Sequence, residues 1–381
     1  MKLKKVTNVE WSGGTIKTYA ILRGENVFTD SIVPIPSLYL ISLAQMEKAD
    51  NSIRATGSDL LSFFQTLERY GLEWDSLSDT DMSGYLYGHL HKFHGLKKQS
   101  MERHISSIKG LYAFAYDAGI ISAPAKFSYL YIQDESKENK KSKKKIDFDL
   151  YNNYLHKDLF NEILANIASK RAFEKERDEL ALIIGFHCGL RTSEVTNSEN
   201  LKTEELKNLI SAAEKIGSRT ITITLIGKGS KIRKVDIPPY AVRKIKQFLE
   251  GRRSKLPDGP LICSRRGEPL IGSHCTNIFR RAKNASIGII EKNIARIHEL
   301  NPNYHFISKE SFSNLVFHSL RHTYATNLVD FCYKHGLDPW QYLPDQLGHS
   351  DVETTKTYVV FDGELGRREK IRQALNNEIK D

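Results

Sequence analysis

The sequence predicts a mainly α-helical protein with a small β-sheet, built in two folded parts. Three observations carry this. Two stretches in the first third keep their apolar residues on one helical face. One stretch past the middle alternates with period two. Between them runs a lysine-rich segment that holds no apolar residue.

The helical stretches come first. In DLLSFFQTLERY (59–70), Leu60, Leu61, Phe63, Phe64, Leu67 and Tyr70 recur at three- and four-residue spacing and share a face. In SMERHISSIKGLYAFAYDAGI (100–120), Met101, Ile105, Ile108, Leu111, Tyr112 and Ala115 do the same, and Gly119 supplies a stop. Lys97, Lys98, Arg103, His104 and Lys109 fall at or near the polar side of this second helix. A solvated face and a surface for a polyanion fit them equally well. Residues 1–34 look extended (TIKTYAILRG), an N-terminal extension with β character.

In SKENKKSKKK (136–145), six lysines stand against one glutamate. Such a run resists packing and reads as a linker over 133–150. An inert tether is one reading. Between two folded parts of a basic protein, contact of Lys140, Lys141, Lys143, Lys144 and Lys145 with phosphates is at least as well supported.

Beyond the linker, RDELALIIGFHCGL (177–190) is a strongly apolar helical run followed by Gly189. TITITLIGKGSKIRKVDIP (220–238) reads as a hairpin around Gly227 and Gly229. AVRKIKQFLEG (241–251) is an amphipathic helix closed by Gly251. In the tail, Ile371, Leu375 and Ile379 recur every fourth residue on an otherwise charged helix.

Composition narrows the function classes. The 381 residues suit two or three domains, and a formal charge of +10 points modestly to a polyanionic partner. Cys188, Cys263, Cys275 and Cys332 form no C-x-x-C pair, which argues against a zinc ribbon or redox dithiol and for a reducing cytoplasm. The longest apolar stretch, 32–44, is broken by Pro34 and Pro36. It is too short for a bilayer, which takes about 20 residues.

HSLRHTYATN (318–327) crowds two imidazoles and a guanidinium onto neighbouring helical turns. His318 and His322, four apart, have the spacing of a zinc pair. However, Ser319 stands where a glutamate belongs, and Arg321 puts a permanent cation beside any metal. An anion fits better, because Arg321 offers a planar fork of donors and His318 shares its face. Three other fragments carry chemistry-bearing groups. GLRTSEV (189–195) holds Arg191, with Glu194 placed to hold the helix turn or orient the guanidinium. LIGKGSKIRK (225–234) sets Lys228 between two glycines, and LGHSDVETTKTY (347–358) supplies His349 and Tyr358. Each alone is weak evidence.

Together, in this order, GLRTSEV, GKGSKIR, HSLRHTYAT, LGHSD and TTKTY resemble the tyrosine recombinase (phage integrase) family. The resemblance covers residues 150–370 closely, and residues 35–125 only in pattern. It implies an all-α, SAM-like core-binding domain over 35–132 and a mixed α+β catalytic domain over 151–362, forming a clamp around DNA. It also implies a C-terminal helix, 363–381, for subunit docking. Arg191 and Arg321 would clamp the scissile phosphate, Tyr358 would attack it, and Lys228 would protonate the leaving 5′ oxygen. His318 and His349 would hydrogen-bond the phosphate and assist proton movement, with Glu194 and His322 in support.

The resemblance further implies a site-specific recombinase that works through a covalent 3′-phosphotyrosine, with no metal, cofactor or ATP. Its partners would be double-stranded DNA sites, three further protomers on synapsed DNA, and accessory DNA-bending proteins. It would be a monomer free in solution, have no membrane association, and reside in the bacterial cytoplasm with the nucleoid. The chemistry agrees with bare physics: a free phenol titrates near 10, and clustered cations favour its phenolate. The rival readings are relaxation of supercoils like a type IB topoisomerase, a non-catalytic DNA-binding regulator, and a metal-dependent nuclease. Residues 273–317 and 330–346 are longer than a compact member needs. The extension at 1–34 reads as a cap strand in preference to an arm-site DNA-binding element.

Overall fold

The computed structural model describes residues 1–24, 30–129, 148–227, 229, 231–348 and 352–363. It divides into two compact units, Met1–Lys141 and Ser142–Asp381, and the division falls inside the predicted linker. The linker lysines, Lys228, His349 and the tail stripe lie outside the described residues.

The first unit opens with an antiparallel sheet of three strands in chain order, β1 (Lys2–Trp11), β2 (Gly14–Arg23) and β3 (Ser31–Ile32). Helices α1 (Pro34–Gln45), α2 (Asp50–Tyr70) and α3 (Asp79–Ser83) follow. A wide-turned π-helix over Gly84–Phe93 and α4 (Lys98–Asp117) complete the unit. Tyr19, Ile21 and Val33 join Leu40, Leu60, Phe63, Leu67, Leu86, Met101, Ile108 and Leu111 in one core. Thr18 Oγ1 also donates to the Leu40 carbonyl at 2.8 Å. The extension therefore shares the core of the helical unit. The apolar face of α2 is as expected up to its last turn, where Tyr70 stays 65% exposed.

The polar side assigned to α4 needs correction. His104 is buried, and Arg103 is committed to an internal partner. Asp59, buried on α2, accepts Arg103 Nε at 3.0 Å, Arg103 Nη2 at 2.7 Å and Ser107 Oγ at 2.9 Å. His104 Nε2 lies 3.2 Å from the same carboxylate, and its Nδ1 lies 3.2 Å from Tyr85 Oη. A carboxylate this deep persists only when its lone pairs are filled. Arg103 and His104 fill them and so join α4 to α2; His104 lies inside, while the Arg103 side chain stays 55% exposed.

The second unit is mainly helical. α5 (Phe148–Asn153) and α6 (Lys157–Ala165) lead to α7 (Ala172–Cys188). α8 (Thr192–Val195) and α9 (Thr203–Lys215) precede the hairpin of β4 (Ile221–Ile226) and β5 (Ile232–Ile237). The rest is helical: α10 (Pro239–Glu250), α11 (His274–Ser286), α12 (Glu291–Leu300), α13 (Lys309–Asn314), α14 (Phe317–Lys334), α15 (Pro339–Leu347) and α16 (Val352–Asp362). From Leu180 to Phe186 every residue of α7 is buried, the mark of a central helix. Gly185 lets α14 approach it, since a Cβ there would stand 2.8 Å from Phe317 and 3.0 Å from Leu320. The 273–317 stretch becomes α11 to α13. The 330–346 stretch becomes the end of α14 and most of α15.

Candidate active site

Three local features bring the site together. The first is the end of α7. Gly189 takes φ +66°, a conformation only glycine adopts without strain, and the Tyr324 ring occupies the space a Cβ would need. The chain therefore turns sharply, sets Arg191 at the start of α8, and presents the Gly189 carbonyl to Arg321 Nη1 at 2.8 Å. The Leu347 carbonyl, at the end of α15, accepts Arg321 Nη2. Arg321 is 3% exposed and held by carbonyls from two sides.

The second is Glu194, which performs both roles expected of it. Oε2 accepts the Arg191 backbone N–H at 2.8 Å, closing the first turn of α8, while Oε1 accepts Arg191 Nη1 at 2.9 Å. The carboxylate is 1% exposed and carries a second partner absent from the sequence reading. Arg233 of β5 grips it with two bonds, Nη1 to Oε1 at 2.6 Å and Nη2 to Oε2 at 2.8 Å. Burial alone would push the Glu194 carboxyl up. The Arg233 bonds and charge, the Arg191 N–H and the Arg321 charge outweigh it and bring it down to about 2.

The third is α15, which fixes Arg233 and the hairpin. The Gln346 carbonyl accepts Arg233 Nε at 3.1 Å, and the Gln346 amide exchanges two 3.0 Å bonds with Asp236. Tyr342 Oη donates to the same aspartate at 2.6 Å. Buried Asn200 ties the end of β4 to α8: its Nδ2 donates to the Glu194 and Ile226 carbonyls, and its Oδ1 accepts the Ile226 N–H at 2.9 Å. Gly227 precedes Lys228, and a Cβ there would lie 3.3 Å from Glu194 Oε1. Gly348 precedes His349, and a Cβ there would lie 3.0 Å from Arg233 Cδ. The described neighbours of both residues therefore border the Arg233–Glu194 pair.

Three guanidiniums thus gather around one carboxylate, leaving a net positive cluster. Arg191, with a side chain 30% exposed, faces outward. Burial and the charge of Arg191 lower Arg321 to about 9, Glu194 opposing. A bound anion would relieve that repulsion. His318 sits exposed on the first turn of α14. Partial desolvation and the charges of Arg321 and Arg191 hold its imidazole below the ordinary value, with Glu194 opposing.

Tyr358 enters from α16, where Tyr358 and Phe361 pack with Leu328, Val329 and Leu347 of α14 and α15. It is 4% exposed, and its Oη lies 2.8 Å from His322 Nδ1. It also contributes to the field on Arg321. Of the site residues read from sequence, Arg191, Glu194, His318, Arg321, His322 and Tyr358 come together.

The residues missed were Arg233, Asn200 and Gln346. Arg233 did leave a signal. In IRKVDI it occupies the same strand face as buried Val235 and Ile237, so an inward arginine required a buried counter-charge. Asn200 and Gln346 left none.

Such a cluster of guanidiniums beside a buried phenol has the chemistry to hold a phosphate next to a nucleophile. The phage integrase family model matches residues 153–363, and the SAM-like N-terminal domain of phage integrases matches 37–119. The chain therefore belongs to the phage integrase family, the tyrosine recombinases, and its function is site-specific DNA recombination. The match favours recombination over the relaxation and regulator readings.

Among similar proteins, tyrosine recombinase XerC of Staphylococcus aureus is 24% identical over 314 residues, 81% of this chain and 86% of that one. XerD of Pseudomonas aeruginosa is 25% identical over 318 residues, with the same shares. The fold is shared with XerH recombinase bound to palindromic difH (TM-score 0.52, 17% identity, 90% of this chain and 85% of that one). It is also shared with a lambda integrase dimer bound to a COC′ core site (TM-score 0.54, 17% identity, 85% and 94%).

Proposed function

We propose that Tyr358 attacks a DNA phosphodiester and forms a 3′-phosphotyrosine, with Arg191 and Arg321 gripping the phosphate and Lys228 protonating the departing 5′ oxygen. His318 and His349 hydrogen-bond the phosphate, and Glu194 orients Arg191. The observation that carries this is that Arg191, Arg321 and the Tyr358 phenol, from three separate stretches of sequence, lie within one another's field beside Glu194. The covalent ester conserves the bond energy, so strands rejoin without ATP, and the fixed cations take the role of a metal.

The two units contact DNA mainly through phosphates, with the linker lysines among the contacts. Binding therefore weakens steeply with salt. The protein is a monomer free in solution and a tetramer on two paired sites, linked through the residues after 363, with accessory DNA-bending proteins as further partners. It works in the bacterial cytoplasm. Among the described residues no helix is long and apolar enough to cross a membrane, and the four cysteines are free and buried.

The test is covalent capture on nicked DNA fragments that flank the gene, followed by sequencing of the trapped strand. Wild-type protein retains a defined site, whereas Tyr358→Phe binds it and forms no adduct. An adduct with the phenylalanine variant would refute the assignment.

A further inference from the structure

We propose that His322 is the proton acceptor for Tyr358: it removes the phenolic proton as the tyrosine attacks and returns it when the strand is resealed. This deepens the tyrosine-recombinase reading above and rests on it. It moves His322, a supporting residue in the sequence analysis, into contact with the reacting atom.

His322 Nδ1 lies 2.8 Å from Tyr358 Oη, within the reach of a general base. Attack by a phenol on phosphorus releases the hydroxyl proton, so a neighbouring group has to take it. The three guanidiniums and Glu194 do not suit this task. The guanidiniums of Arg191, Arg233 and Arg321 have donors only. Glu194 is filled by Arg191 and Arg233.

The two imidazoles divide along α14. His318 stands one turn before His322, and their rings meet edge to face with centroids 4.8 Å apart. His318 lies in the field of Arg321 and Arg191, on the phosphate side. His322 faces α16 and the nucleophile. One helix thus offers one imidazole to each end of the reaction.

The step balances. With its own proton on Nε2, His322 Nδ1 takes the Tyr358 proton while the phenolic oxygen bonds to phosphorus. The bond from phosphorus to the 5′ oxygen breaks, and that oxygen takes a proton from Lys228. The products are a 3′-phosphotyrosine, a free 5′ hydroxyl, an imidazolium at 322 and a neutral amine at 228. Resealing runs the same transfers backwards, the imidazolium protonating the departing phenolate.

The experiment uses the full chain and a nicked synthetic duplex of the captured site. In a second duplex sulfur replaces the bridging 5′ oxygen, so that the leaving atom needs no proton. Adduct formation is timed in a single turnover at saturating protein, which removes any effect of weaker binding. Asparagine at 322 keeps a polar atom near the position of Nδ1 but accepts no proton.

His322→Asn is expected to slow adduct formation about 100-fold on both duplexes. Lys228→Ala is expected to be slow on the oxygen duplex and restored on the sulfur one. The proposal is overturned if His322→Asn cleaves within about 3-fold of wild type, since His322 then only holds the tyrosine. It is equally overturned if sulfur restores His322→Asn, which would place the residue on the leaving-group side. An adduct formed by Tyr358→Phe would instead overturn the underlying reading.

Discussion

Replacing Glu194 with glutamine removes the charge that three arginines share and leaves its shape. The carboxyl falls from 4.5 to about 2 on folding, and at about 1.4 kcal/mol per unit its charge contributes about 3 kcal/mol net of desolvation. With a side chain 1% exposed, solvent screening takes little from that figure. Independently, breaking a buried ion pair by removing one partner costs about 3–5 kcal/mol. The sign follows from the direction of the shift. A depressed acid stabilises the fold above its unfolded value near 4.5, and the contribution fades as pH falls towards 2. Urea unfolding of the full chain should therefore show Glu194→Gln weaker by about 3 kcal/mol at pH 7, with the gap narrowing between pH 4.5 and 3. A gap under about 1 kcal/mol at pH 7, or one that ignores pH, would refute the claim that this carboxylate holds the arginine cluster together.

Three further outcomes are expected. Gly189→Ala meets both a left-handed backbone and the Tyr324 ring, so it should lower stability by about 3 kcal/mol and slow cleavage; unchanged urea unfolding would count against the turn argument. Asp59→Ala removes the carboxylate that Arg103, His104 and Ser107 share, so amide exchange in α2 and α4 should quicken by more than 10-fold while α14 is unaffected. Removing the residues after Gly366 should impair recombination more than binding of a single site, measured by gel shift, and equal losses would contradict the docking role.

Most of this architecture was legible in the sequence. The central helix announced itself through an apolar run with no polar face, and the hairpin through alternation around two glycines. Arg191, Glu194, Arg321 and Tyr358 stood out because each sits in a short stretch whose local geometry dictates its residues, as Gly189 does for Arg191. What stayed hidden was long-range. Arg233 and Glu194 are 39 residues apart, and Gln346 meets Arg233 across 113. Nothing in local periodicity pairs residues at that separation. His104 misled for a similar reason. On α4 alone it lies near the polar side, and only Asp59, arriving from α2, makes that position interior. The π-helix over Gly84–Phe93 gave no sign, because its pattern reads equally as an ordinary helix.

The central claim is that a buried phenol, set among fixed cations, is the group that joins DNA. Mass spectrometry of the adduct trapped on nicked DNA in EDTA tests it most directly. The account predicts a nucleotide attached through phosphate to Tyr358, and no adduct in Tyr358→Phe. Attachment at any other residue, or loss of the adduct on chelation, would contradict it.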